Sequence, residues 1–151
     1  MITIKNTQRN HTVDTDHIKE TAQTILDELG YSDFDLGIWL TTNKTIHAYN
    51  KMYRKKNKPT DILSFPYHAN LEPGERPTVH TDEDKNLGDL IISVEFVYGI
   101  LELYEGITLQ GRIDTLLIHG ICHLLGYSHY DEENDKIMSK LEKQLAKRIS
   151  K

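Results

Sequence analysis

The stretch His119-Gly-Ile-Cys-His123-Leu-Leu-Gly126-Tyr-Ser-His129 holds three of the chain's eight histidines. His119 and His123 are four residues apart in a run with helical periodicity. Both imidazoles therefore stand on one face, one turn apart, where they can grip a single metal ion. Gly126 permits a left-handed exit from that helix, after which His129 can swing back as a third ligand. Three neutral imidazoles around a tetrahedral cation leave one position for water, the arrangement of a catalytic site rather than a closed structural one. Nitrogen donors suit one zinc ion per chain, although nickel, copper or iron would bind the same set. Such a cation lowers the pKa of bound water towards about 7. Zinc proteases place a glutamate directly after the first histidine as general base. This chain has Gly120 there, so peptide hydrolysis by the standard route is disfavoured. Cys122 falls about 100° around the helix from His123 and reads as a packing residue.

A second group of residues suits phosphate. Lys51, Arg54, Lys55, Lys56 and Lys58 put five cations into eight residues of an otherwise acidic chain, whose formal charge is −5. Arg54 can clamp a phosphate bidentately, the lysines can follow a backbone, and Tyr53 can stack on a base. A solvated helix end would carry the same charges, because cations near a helix C-terminus also complement its dipole. Charge alone favours that solvated end, and a hydrolytic metal close by would reverse the balance towards binding. Asp61 and Ser64 read first as satisfying the turn after Pro59-Thr60. Trp39 reads as core.

These side chains need a scaffold, and 151 residues supply enough chain for one core. The charge balance excludes a whole-surface nucleic-acid binder. A lone cysteine excludes an internal disulfide, and no apolar run reaches the roughly 20 residues of a membrane span. The expectation is one cytoplasmic domain over residues 1–151. Ile2 to Ile4 and Leu36 to Leu40 alternate as strands. Asp14-Thr15-Asp16 caps a helix carrying Ile18, Ala22, Ile25, Leu26 and Leu29, which Gly30 stops. Asn43 is expected to cap a helix ended by the basic run and Pro59. Asp61 to Phe65 and Leu87 to Ser93 read as strands, separated by a long surface loop. Helical periodicity is expected over Val94 to Tyr104 and over Thr108 to Leu125. A last helix follows Asp131, with Ile137, Met138, Leu141, Leu145 and Ile149 on its apolar face. Three or four strands with helices before, between and after them define an α+β class.

The histidine run resembles the H-G-x-x-H-L-x-G-Y-D-H signature of the YbeY family of bacterial rRNA maturation factors and single-strand-specific endoribonucleases. Asn50-x-x-Tyr53-Arg54 and Lys58-Pro-Thr-Asp-Ile-Leu-Ser-Phe-Pro66 resemble its N-x-x-Y-R and P-T-D-V-L-S-F-P stretches. Leu87-Gly-Asp-Leu-Ile-Ile-Ser93 resembles its L-G-D-I-x-I-S strand, and the C-terminal helix with Met138 and Glu142 fits as well. The matches occur in the family's order over nearly the whole chain. The resemblance implies a small mixed sheet of about four strands flanked by helices. It implies zinc on His119, His123 and His129, at a site similar to that of zinc proteases, with Arg54 lining the substrate groove. It also implies maturation of the 3′ end of small-subunit rRNA and ribosome quality control. Two positions depart from the pattern. Ser128 replaces an Asp that could orient His129, and Asn57 replaces a common Asp in the basic turn.

The resulting expectation is a metal-dependent endoribonuclease acting on single-stranded rRNA of the small ribosomal subunit. His119 and Arg54 are its catalytic pair, and Tyr53, Arg54, Lys55, Lys56 and Lys58 are its RNA contacts. Two alternatives stand beside it. One is a ribosome-assembly RNA-binding factor with a structural metal. The other is a metal hydrolase acting on a different substrate class, against which the missing glutamate and the basic segment count.

Overall fold

The computed structural model of the chain describes residues 1–150. Four strands form one mixed sheet: β1 (Ile2–Asn6), β2 (Asp35–Thr41), β3 (Ile62–Pro66) and β4 (Asn86–Ser93). Their spatial order is β1-β2-β4-β3. β1, β2 and β4 run parallel, and β3 lies antiparallel to β4 at one edge. The helices are α1 (Thr15–Leu29), α2 (Asn43–Arg54), α3 (Val94–Gly99), α4 (Leu109–Leu124) and α5 (Glu132–Ile149).

Strand alternation gives the sheet two different faces. Leu36, Ile38, Leu40, Leu90 and Ile92 point into the main core with residues of α1, α4 and α5. Leu63 and Ile91 point the other way, where Ile46 of α2, Trp39, Tyr49 and Phe65 join them. α4 is apolar around most of its circumference because the sheet, α1 and α5 all pack on it. Leu117, Ile113 and Ile121 are fully enclosed, each burial contributing roughly 1.5–3 kcal/mol. His119 and His123 occupy the part of α4 left facing a cleft.

Several elements differ from expectation. Asn43 is the first residue of α2, not its cap; Thr42 precedes it without a side-chain cap bond. The Asn43 amide proton goes to Glu95, and its side-chain oxygen accepts from the Ser93 hydroxyl. α2 ends before Pro59 is reached, at Lys55, which takes a left-handed conformation with φ 61°. The helix expected over Val94 to Tyr104 stops at Gly99, and a single 3-10 turn follows at Leu101–Leu103. Leu103 is 78% exposed, so nothing apolar is gained by extending the helix. Ile137 is also exposed, and Met138 and Leu145 carry the buried contacts of α5. Trp39 is half-buried on the second sheet face rather than in the main core. Among the described residues, no helix is long and apolar enough to cross a membrane.

Candidate metal centre and its cleft

α4 brings His119 and His123 together, with their Nε2 atoms 2.9 Å apart. The helix then closes through Gly126, whose φ is 93°. The Gly126 amide bonds the His123 carbonyl and the Tyr127 amide bonds the Cys122 carbonyl, a Schellman-type ending. A Cβ at Gly126 would lie 2.1 Å from the Leu71 carbonyl oxygen, so glycine also lets the 67–85 loop press against this turn. The turn returns His129 to the cluster. Its ring centroid lies 5.2 Å from that of His119 and 6.1 Å from that of His123.

Each imidazole has an oxygen at Nδ1. His119 Nδ1 lies 3.0 Å from Glu142 Oε2, and His123 Nδ1 donates to the Tyr127 carbonyl at 2.9 Å. His129 Nδ1 meets the Asp135 carboxylate. A carbonyl can only accept, so it sets the proton of neutral His123 on Nδ1 and leaves Nε2 as a lone pair. The carboxylates favour the same tautomer in the other two rings. Two imidazole lone pairs facing each other at 2.9 Å repel unless a cation or proton lies between them. Burial first, then the neighbouring His119, holds the His123 pKa below its usual value, which disfavours the proton. The donor set therefore fits a cation. One donor atom each from His119, His129 and Glu142 lies within 4.8 Å of the others, so these residues could hold a metal ion.

Gly120 faces away from this cluster. A Cβ there would lie 2.8 Å from Ile62 Cδ1 and 2.8 Å from Leu90 Cδ2. α4 therefore rests directly on β3 and β4, and the position after the first histidine belongs to the sheet contact. The acids beside the histidines come from α5 instead. Asp135 and Glu142 are seven residues apart and share one helical face, and neither was singled out from sequence as part of the site. The signal was present: Glu142 interrupts the apolar stripe of Met138, Leu141 and Leu145. Ser128 accepts a bond from the Tyr130 amide at 3.4 Å, and it is Asp135 that partners His129.

A cleft of about 630 Å³ opens in front of α4. Its walls include His119, His123, Glu142, Arg112 and Asp61, with edge strand β3 and Arg54 on the far side. Arg54 Nη2 donates to the Ser64 carbonyl at 2.6 Å, hooking across the free edge of β3. Arg112 is 3.7 Å from Asp61, its guanidinium carbon lies 4.7 Å from the centroid of the Tyr104 ring, and its buried Nε has no hydrogen-bond partner. Asp61 also accepts from the Ile62 amide at 2.7 Å, the turn role expected of it. Lys55, Lys56 and Lys58 stand on the exposed turn beyond Arg54 and do not line the cleft. Buried Asn50, bonded to the Lys58 carbonyl at 2.8 Å, and His47, bonded to Asn57 at 2.8 Å, fasten that turn. Tyr53 points to the other sheet face. Cys122 is fully buried, its thiol pKa pushed up to about 12 by burial, and so acts as packing.

The fold and the cluster define an α+β domain with a histidine–carboxylate site, able to hold a metal, beside an edge strand. The chain belongs to the endoribonuclease YbeY family, whose model matches residues 3–150. It is 35% identical to the human protein named endoribonuclease YbeY over 142 residues, which cover 94% of this chain and 84% of that one. It is 37% identical to the protein of that name from Aquifex aeolicus over 138 residues, covering 90% and 84%. The solution structure of TM1509 from Thermotoga maritima has the same fold, with a TM-score of 0.63 at 21% identity, covering 99% of this chain and 89% of that one.

Proposed function

We propose that the chain is a zinc-dependent endoribonuclease that cuts single-stranded rRNA during maturation of the small ribosomal subunit, working in the cytoplasm as one domain over residues 1–151. The observation that carries this reading is a cluster of three imidazoles, each with Nδ1 met by an oxygen, two of which, His119 and His123, line a cleft that Arg54 also lines.

His119, His123 and His129 would hold the ion through Nε2. Bound there, a divalent cation supplies Lewis acidity towards a phosphate oxygen. Glu142 Oε2 keeps the His119 proton on Nδ1 and so presents Nε2 in one orientation. Glu142 Oε1, 3.7 Å from His129 Nε2, makes no contact with a histidine Nδ1 and would accept the proton of the hydroxyl that attacks phosphorus while the bond from phosphorus to the leaving ribose oxygen breaks. Arg54 and Arg112 stabilise the charge that develops on the phosphate. Tyr53 and Lys55, Lys56 and Lys58 hold the strand outside the cleft, so affinity falls steeply with salt. Single strands are selected because a duplex cannot bend its backbone into a cleft bounded by β3 and α4.

The test is cleavage of an end-labelled single-stranded RNA with the same sequence as a duplex alongside. Chelation should abolish cutting, added zinc should restore it, and the duplex should resist. Cutting that persists after complete metal removal would overturn the reading.

A further inference from the structure

The second face of the sheet carries a groove of about 750 Å³ that the metal cleft does not include. Trp39, Tyr49, Tyr53 and Phe65 line one side of it. Their rings form a chain of contacts: Trp39 to Tyr49 at 5.6 Å, Tyr49 to Tyr53 at 5.8 Å and Tyr53 to Phe65 at 5.4 Å. Tyr53 remains 53% exposed. Gly37 hollows the floor, since a Cβ there would lie 2.2 Å from an Asp89 carboxylate oxygen.

This groove and the metal cleft are separated by one strand. Ile62, Ser64 and Pro66 of β3 line the cleft, while Phe65 lines the groove. Neighbouring residues at the end of α2 divide in the same way, Arg54 to the cleft and Tyr53 to the groove. Arg54 crosses the strand edge with its guanidinium carbon 5.0 Å from the centre of the Phe65 ring. A chain leaving the cleft over β3 therefore passes a cation and meets aromatic faces.

We propose that the groove on the second sheet face is a stacking site for bases of the same single-stranded RNA that the cleft cuts, occupied by nucleotides flanking the scissile bond. This rests on the endoribonuclease reading. The charges suit such an occupant. Lys5 lies 4.4 Å over the Trp39 ring, and Lys51, Lys55, Lys56 and Lys58 form no ion pair among the described residues. Of the two carboxylates in the groove, Asp35 pairs with the Met1 ammonium at 2.7 Å. Asp89 has no partner among the described residues and can accept from the amino edge of a base such as cytosine. Bases, not phosphates, would then sit on the groove floor, with the backbone towards the lysines.

Trp39 is the only tryptophan of the chain, so it reports on its own groove. The probe is a short 2′-O-methyl oligoribonucleotide, which binds without being cut through its 2′ position, compared with an abasic strand of equal length. The base-bearing strand should quench Trp39 emission saturably, and the abasic strand should not. Tyr53→Leu should weaken that binding on the order of tenfold, with metal content and melting temperature unchanged. If the enzyme cuts RNA while the oligonucleotide leaves Trp39 emission unaltered, the proposal fails and the nuclease reading stands. Equal quenching by the abasic strand overturns stacking in favour of simple charge attraction. Quenching without any cleavage supports the groove and overturns the nuclease reading. Neither quenching nor cleavage overturns both.

Discussion

Replacing Gly120 with glutamate would restore, in sequence, the residue that follows the first histidine in zinc proteases. The structure gives that residue nowhere to go. Its Cβ would lie 2.8 Å from methyl groups of both Ile62 and Leu90 and 3.2 Å from a third carbon. Crowding of this kind costs about 1–3 kcal/mol. The carboxylate would then stand between α4 and the sheet without a partner, adding several kcal/mol. The sum is a large share of the 5–15 kcal/mol that holds a typical domain together. Gly120→Glu is therefore expected to unfold, seen as loss of the cooperative melting transition. Gly120→Ala isolates the crowding. Part of its cost is offset by the roughly 1 kcal/mol gain in helix propensity over glycine. A net loss near 1 kcal/mol should lower the melting temperature by about 2–4 °C for a chain of this size. A Gly120→Glu protein that melts as wild type, binds metal and cleaves peptides would refute the reasoning, because the side chain would then face the cleft.

Other expected outcomes follow from the same geometry. Glu142→Gln and Asp135→Asn each remove a carboxylate from a histidine Nδ1 and should weaken metal affinity about 10–100-fold, read by competition with a chromogenic chelator; unchanged affinity would show that these acids do not orient the rings. Gly126→Ala combines a φ of 93° with a Cβ 2.1 Å from the Leu71 carbonyl. It should cost at least 1–2 kcal/mol in chemical denaturation and expose the 67–85 loop to proteolysis. The lowered pKa of His123 gives a signed pH dependence. In the metal-free protein its contribution is complete above the usual value of 6.5 and is lost as pH falls from there to the folded value, since the unfolded chain binds the proton more readily. The wild-type urea midpoint should fall relative to that of His123→Gln as pH drops through that window and should run parallel to it above 6.5.

The histidine cluster was legible because its logic is local. Two ligands a turn apart and a glycine at the helix end are contained within eleven residues, from His119 to His129. The strands were legible from alternation, and α1 from its Asp14 cap, which accepts from the His17 amide, and its Gly30 stop. What was hidden depends on docking between distant segments. Glu142 and Asp135 reach the histidines only because α5 packs beside α4. Asn43 has good cap chemistry, yet Ser93 and Glu95 occupy its polar groups. Tyr53 and Arg54 are adjacent in the chain but lie on opposite sides of β3, a division that no sequence pattern expresses. The second turn expected after Gly99 failed because periodicity does not reveal whether a core exists to receive Leu103.

Joint action of the histidine cluster and Arg54 on RNA carries the proposed function. It is tested most directly by cleavage of a labelled single-stranded rRNA fragment with wild type, Arg54→Ala and His119→Ala, purified in parallel and assayed for metal. Cutting is expected from wild type alone. Arg54→Ala should keep its metal and its melting temperature, and His119→Ala should lose metal. Equal cutting by all three proteins, or full activity in Arg54→Ala, would contradict it.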